Sequence, residues 1–225
     1  MDENIQLIAL AGEVYQRLLA VFGTPVWRTP LSAVDELIST ILSQNTNDHN
    51  RDIAFNRLRD ALPTWEAVRD APLPWVIDAI RPAGLANQKG ARIQKVLQEI
   101  TIERGNLNLD FLKELPRDEA YAWLVKFKGV GPKTASIVMQ FALGMPAFPV
   151  DTHIYRVSGR IGLRPDAMNA EQAHSHLSGL FRPEQYGPAH LNLIRLGREL
   201  CHPHKPECPR CPVKDVCQFY ATTGS

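Results

Sequence analysis

One break in an apolar-periodic stretch dictates most of what this chain can become. An apolar run over residues 121–127 ends at Lys128, Gly129-Val130-Gly131 follow, and Pro132 opens a second apolar-periodic run that lasts to Leu143. Helical spacing on both sides of a Gly-x-Gly predicts two helices joined by a tight hairpin. The glycines permit positive φ and leave amide N–H groups bare enough for close approach. Pro132 stands at the first helical position, where its missing N–H would be unpaired anyway. Amides beside the positive end of a helix dipole make an anion site, most naturally one for phosphate.

Lys133 comes next, where the field of the helix N-terminus repels its ammonium, a cost without an evident structural return. That field and partial burial predict a pKa below the ordinary value of about 10.4 and hence access to the nucleophilic neutral amine. On the residues alone, Gly-Val-Gly is also readable as a plain helix–helix turn and Lys133 as an exposed cation. A phosphate loop beside an activated amine also suits a nucleic-acid enzyme working through a Schiff base, and the residues alone leave both readings open.

All four cysteines, Cys201, Cys208, Cys211 and Cys217, crowd into the C-terminal stretch with spacing C-x6-C-x2-C-x5-C. Thiols gathered in one segment read as a metal site, with two close disulfides as the lesser reading. Four thiolates suit tetrahedral zinc or an iron–sulfur cluster, and thiolate chemistry does not choose between them. Pro203, Pro206, Pro209 and Pro212 recur through the loop and forbid regular helix, leaving His202, His204 and Lys205 to project from it.

The remaining chain reads as helix after helix. Ile8, Ala11, Tyr15, Leu18 and Phe22 share a face over residues 5–22, and Ser32 with Asp35 caps a helix carrying Leu37, Ile38, Ile41 and Leu42. Residues 47–62 turn Ile53, Leu58 and Leu62 inward; short helical pieces follow at 65–69 and 73–80. A helix through Ile93, Val96, Leu97 and Ile100 precedes a short link at 109–115. Asp151, a favoured N-cap, opens the run of Ile154, Val157 and Ile161, and two further helices cover 169–180 and 188–200. No strand-like alternation occurs, so the expected fold is all-α. With 225 residues, 44% of them hydrophobic, the chain can bury the core of one large or two small domains. A formal charge of +1 requires any nucleic-acid contact to come from a local patch. No apolar run is expected to reach the ~20 residues that span a membrane. The acidic start MDENIQ is unlike a secretory signal. A soluble, cytoplasmic monomer without a membrane partner is expected, nucleoid-associated in a bacterium.

FKGVGPKTA followed by FPVDTHIYRV resembles the helix-hairpin-helix and catalytic-aspartate signature of the endonuclease III family of bifunctional DNA glycosylase/AP lyases. The cysteine spacing independently resembles that family's iron–sulfur cluster loop. The resemblance covers nearly the whole chain and implies two helical lobes: a six-helix lobe over 24–145 carrying the hairpin, and an iron–sulfur cluster lobe built from 1–23 plus 146–225, with a DNA groove between them. It implies that Lys133 is the Schiff-base lysine, Asp151 the catalytic aspartate, and Cys201, Cys208, Cys211 and Cys217 the ligands of one structural 4Fe-4S cluster. Implied DNA contacts are Gln44 or Asn45, one of which fills the space left by a flipped base; Leu85, the wedge, with Asn87 and Lys89; Gly129, Val130 and Gly131; and His204 with Lys205. Arg92 and Lys95 extend Lys89 into a basic stripe read as a phosphate contact. The residues alone allow a cap and turn at SQNTND, an ordinary exposed leucine at Leu85 and a solvated charged face.

The implied activity is removal of damaged bases, oxidised pyrimidines foremost, from double-stranded DNA, with β-elimination at the abasic site. The alternatives are a mismatch or adenine glycosylase of the same superfamily, and a non-catalytic, redox-sensing DNA-binding module. The sequence departs from the family pattern at Phe127-Lys128 and in SQNTND.

Overall fold

The computed structural model describes residues 3–26 and 29–223, and among these every regular element is helical. The chain forms two compact units, one continuous over residues 30–145 and one assembled from 1–29 with 146–225, so the first crossover falls at Thr29–Pro30 rather than after residue 23.

The continuous unit is built on α2 (Ala33–Ser43), which follows the N-terminal helix α1 (Glu3–Phe22) in the chain. Leu37, Ile38, Ile41 and Leu42 are fully buried, as their spacing predicts. Ser32 caps the helix by accepting the Asp35 N–H at 3.1 Å, and the Asp35 carboxylate accepts the Trp65 indole N–H at 2.9 Å. Then follow α3 (Asp48–Ala61), α4 (Trp65–Asp70), α5 (Leu73–Ala79), α6 (Ala86–Arg104), α7 (Arg117–Val125) and α8 (Pro132–Ile137). Helices α3, α6 and α8 pack on α2, and α4 and α5 on α6. The apolar stripe of α6, from Ile93 to Ile100, is buried as expected.

Two expectations fail here. In α3 the buried pair is Ala54 and Leu58, four residues apart, while Ile53 lies a turn-angle off that row and is 37% exposed. The helix after Pro132 does not run unbroken to Leu143: from Val138 to Ala142 the backbone widens into a π turn, Leu143 N–H donating to Val138 O at 3.1 Å.

The discontinuous unit contains α1 (Glu3–Phe22), α9 (Thr152–Ile161), α10 (Ala170–Ser178), α11 (Tyr186–Glu199) and α12 (Gln218–Thr223). Helix α11 packs against α9 and α1, and α12 against α9. Their core joins Ala11, Val14 and Leu18 of α1 to Ile154, Val157 and Ile161 of α9 and to Leu193 and Leu196 of α11. Phe148 stacks on Phe181 with centroids 5.2 Å apart. Ile8, expected inside, is exposed, because the buried row of α1 steps through 11, 14 and 18. The span Asn4–Phe22 is long and apolar enough, by length and composition, to cross a membrane, contrary to the sequence reading. It also carries the Glu13–Arg17 ion pair and a buried stripe docked on α11.

Candidate active site

The α7–α8 hairpin turns on Gly129, whose φ of +93° is open to glycine and strained for any side chain. Gly131, by contrast, is extended at φ −92°, ψ −179° and caps α8. Val130 is buried, and its N–H is used within the turn, donating to Phe127 O at 2.9 Å; the expected DNA contact at Val130 is therefore neither a side chain nor a free amide. The amides of Gly129 and Gly131, both half-exposed, find no acceptor among the described residues. Lys133, second in α8, is half-buried, and no hydrogen bond or ion pair engages its ammonium among the described residues.

Two loops and helix α6 of this unit are tied together. Gln44, just past α2, donates from Nε2 to Gly129 O at 3.1 Å and accepts from Arg92 Nη1 at 2.6 Å. Both ends of its amide are committed. Asn45 is exposed and held at φ +53°, with no side-chain partner among the described residues. Of the two amides that sequence left open, Asn45 is the one available to a ligand. Leu85, half exposed, sits at φ +49° before α6, and Asn87 is exposed beside it.

The basic stripe does not exist as expected. Lys89 is 2% exposed, and its ammonium donates to Leu42 O and to Ala83 O, each at 2.7 Å. Burial, helped by the charge of Arg92, pushes its pKa down to about 8. It cannot touch a phosphate. Lys95 lies 3.8 Å from Glu99, and Arg92 lies against the hairpin, so close that a Cβ at Gly129 would stand 2.2 Å from its Cδ and Nε. The cation the hairpin actually acquires is Arg92, which no local pattern singled out from its neighbours.

Asp151 caps α9, with Oδ1 accepting the Ile154 N–H at 2.8 Å; Oδ2 has no partner among the described residues. The buried segment before it is held by two histidines that sequence reasoning passed over. His174 Nδ1 lies 3.3 Å from Val150 N and 3.2 Å from Phe148 O, and His190 Nδ1 lies 2.9 Å from Pro149 O. A carboxylate at a helix cap, preceded by backbone fixed in this way, is pre-organised with one oxygen to spare.

The four cysteines are free thiols lining one cavity, together with Val157, Ile161 and Leu200. No group of three or more His, Cys, Asp or Glu converges closely enough to hold a metal ion among the described residues. Four thiols lining one space are a donor set of the kind that holds thiolate-ligated metal. Burial pushes the Cys211 thiol up to about 11, and burial with the charges of Cys201 and Cys217 raises Cys208. Arg160 Nη1 donates to Cys201 Sγ at 3.4 Å. His204 and Lys205 are exposed on the loop, Lys205 at φ +51°.

Residues 38–183 match the family described as HhH-GPD superfamily base excision DNA repair protein. Endonuclease III of Thermotoga maritima is 33% identical across 84% of this chain and 84% of its own length, and that of Sulfolobus acidocaldarius 33% identical across 82% and 81%. The solved structure of a trapped endonuclease III–DNA covalent intermediate is 27% identical and superposes over 100% of both chains with a TM-score of 0.81. A thermostable thymine-DNA glycosylase, 19% identical, shares the fold with a TM-score of 0.80. The match spans the hairpin and Asp151 and the likeness to endonuclease III runs through most of the sequence; the chain belongs to the HhH-GPD superfamily of base excision DNA repair proteins.

Proposed function

We propose that this base excision DNA glycosylase and AP lyase removes damaged pyrimidines, oxidised ones foremost, through a Schiff base on Lys133. The observation that carries the reading is an uncommitted lysine amine in the first turn of α8, directly behind two hairpin amides with no internal acceptor.

The glycosidic carbon is unreachable in a stacked duplex, so the damaged nucleotide is first extruded. Asn45 fills the gap, Leu85 wedges beside it, and the Gly129 and Gly131 amides take the DNA backbone. The neutral Lys133 amine then attacks C1′, the C1′–N bond breaks, and the base leaves with the bonding pair and picks up a proton. Asp151, through its spare oxygen, stabilises the positive charge on the sugar or takes the proton shed by the attacking amine. Opening of the sugar ring gives the protonated Schiff base, which acidifies the C2′ proton. Loss of that proton expels the 3′ phosphate by β-elimination. Cys201, Cys208, Cys211 and Cys217 would hold one 4Fe-4S cluster, whose contribution is to cross-link the loop that presents His204 and Lys205 to the DNA backbone.

Incubation with an abasic-site duplex and borohydride tests the assignment. Wild-type protein is expected to give a covalent adduct that Lys133→Ala abolishes and Asp151→Asn slows. Wild-type protein that binds the duplex and yields no adduct would be a non-catalytic module. A panel of single-lesion duplexes tests the preference for oxidised pyrimidines.

A further inference from the structure

We infer that Lys89 is a positioning residue, a buried clamp that sets the two loops carrying Asn45 and Leu85 in register with each other; the inference rests on the proposed role of those loops at the duplex. Its ammonium donates at 2.7 Å to Leu42 O, near the C-terminus of α2, and at 2.7 Å to Ala83 O, the last residue of a single 3-10 turn over Arg81–Ala83. Carbonyls at a helix end lack intrahelical partners and must be met from outside. Each of these two leads within three residues into a non-glycine residue at positive φ, Asn45 at +53° and Leu85 at +49°. Such backbone persists only where the surroundings over-determine it. One side chain does so for both loops at once.

Stability does not explain the choice of lysine. Desolvating an ammonium is costly, and an apolar side chain of similar volume often serves a buried position as well or better. Nor does phosphate binding explain it, since the residue is 2% exposed. What an apolar residue cannot supply is a rigid hydrogen-bonded link between the Leu42 and Ala83 carbonyls.

The test compares wild type with Lys89→Met on two substrates and one binding curve. Excision of a damaged pyrimidine from duplex DNA should fall about 100-fold, the scale of a misplacement of about 1 Å. Cleavage of a preformed abasic site in single-stranded DNA, which needs no gap filled, should change by less than about threefold on the same reasoning. The salt slope of duplex binding should hold, whereas a lost phosphate contact would lower it by about 1. Equal losses on both substrates, or a lowered slope, would overturn the inference. If Lys89→Met does not fold, Lys89→Gln, whose amide can serve one carbonyl, should show a smaller loss in the same duplex-selective pattern, and a loss shared by both substrates would again overturn it. Wild-type protein without a borohydride adduct would instead remove the functional reading, and this inference with it.

Discussion

Gly129→Ala and Gly131→Ala look alike in sequence and should behave in opposite ways. At Gly129 the φ of +93° strains any L side chain, by about 1–2 kcal/mol. Its Cβ would also lie 2.2 Å from Arg92 Cδ and Nε, so the guanidinium must leave and surrender its 2.6 Å bond to Gln44 Oε1. A hydrogen bond from a charged donor is worth about 1.5–3 kcal/mol, which brings the expected loss to about 2.5–5 kcal/mol. Gly131, extended and with nothing within 4 Å of its would-be Cβ, should accept alanine at no cost or gain about 0.5 kcal/mol from the stiffer unfolded chain. Urea titration followed by far-ultraviolet circular dichroism reads the difference. Repeating Gly129→Ala in an Arg92→Ala background isolates the clash: the cost should shrink to the backbone term of about 1–2 kcal/mol. Equal midpoints for the two glycine variants, or an undiminished cost without Arg92, would refute the account of the hairpin.

Three further outcomes follow from the same geometry. Lys89 titrates at about 8 in the folded chain against 10.5 for the free side chain, so between those values the unfolded chain holds more protons and stability rises with pH; relative to Lys89→Met, wild type should gain about 2 kcal/mol from pH 7.5 to 10 in urea titrations. Asn45→Gly should keep its stability, since glycine suits φ +53°, and lose about tenfold in excision from duplex, whereas Gln44→Ala should cost about 2–4.5 kcal/mol through its two lost bonds, one of them from a charged donor; stability losses in the reverse order would contradict the assignment of the free amide. Purified protein should carry iron rather than zinc by elemental analysis, and stripping the metal should lower Tm and open the 201–217 loop to protease.

What sequence revealed and what it hid divide along the range of the interactions. The apolar stripes of α2 and α6 and the Ser32 cap depend on neighbours three or four residues away, and periodicity shows them. Lys89 was misjudged although a signal was present: it is in phase with Ile93, Val96 and Ile100, the buried row, and not only with Arg92 and Lys95. A charge was assumed to face solvent, and two distant carbonyls made the interior acceptable to it. The links of Gln44 to Gly129 and of His190 to Pro149 join positions 85 and 41 residues apart, and no local pattern encodes them. Lys133 and Asp151 stood out because a short motif surrounds each, not because their environments were foreseen.

Helix α9 gives the cysteine loop a reason to be rigid. Asp151 caps one end of it, while farther along Arg156 donates to Cys201 O at 2.9 Å and to Gly197 O at 2.8 Å. Arg160, one turn on, donates to His202 O at 2.6 Å and Pro203 O at 2.9 Å, and its own carbonyl accepts from Cys217 Sγ at 3.3 Å. The loop that carries His204 and Lys205 is therefore fastened to the helix capped by Asp151, and Arg160 is the fastening nearest the two cations. Arg160→Ala removes the two charge-assisted bonds to loop carbonyls, and with them the longer contact to Cys201 Sγ, from a half-exposed group, worth about 2–3 kcal/mol of local order once solvent screening is allowed for. Under the proposed contact of His204 and Lys205 with the DNA backbone, freeing the loop should lower duplex affinity and flatten the salt slope of binding by about 1–2. The yield of borohydride adduct at saturating DNA should persist, since neither Lys133 nor Asp151 is touched. An unchanged slope would mean that the loop meets no phosphate, and a lost adduct would mean that Arg160 serves the chemistry directly.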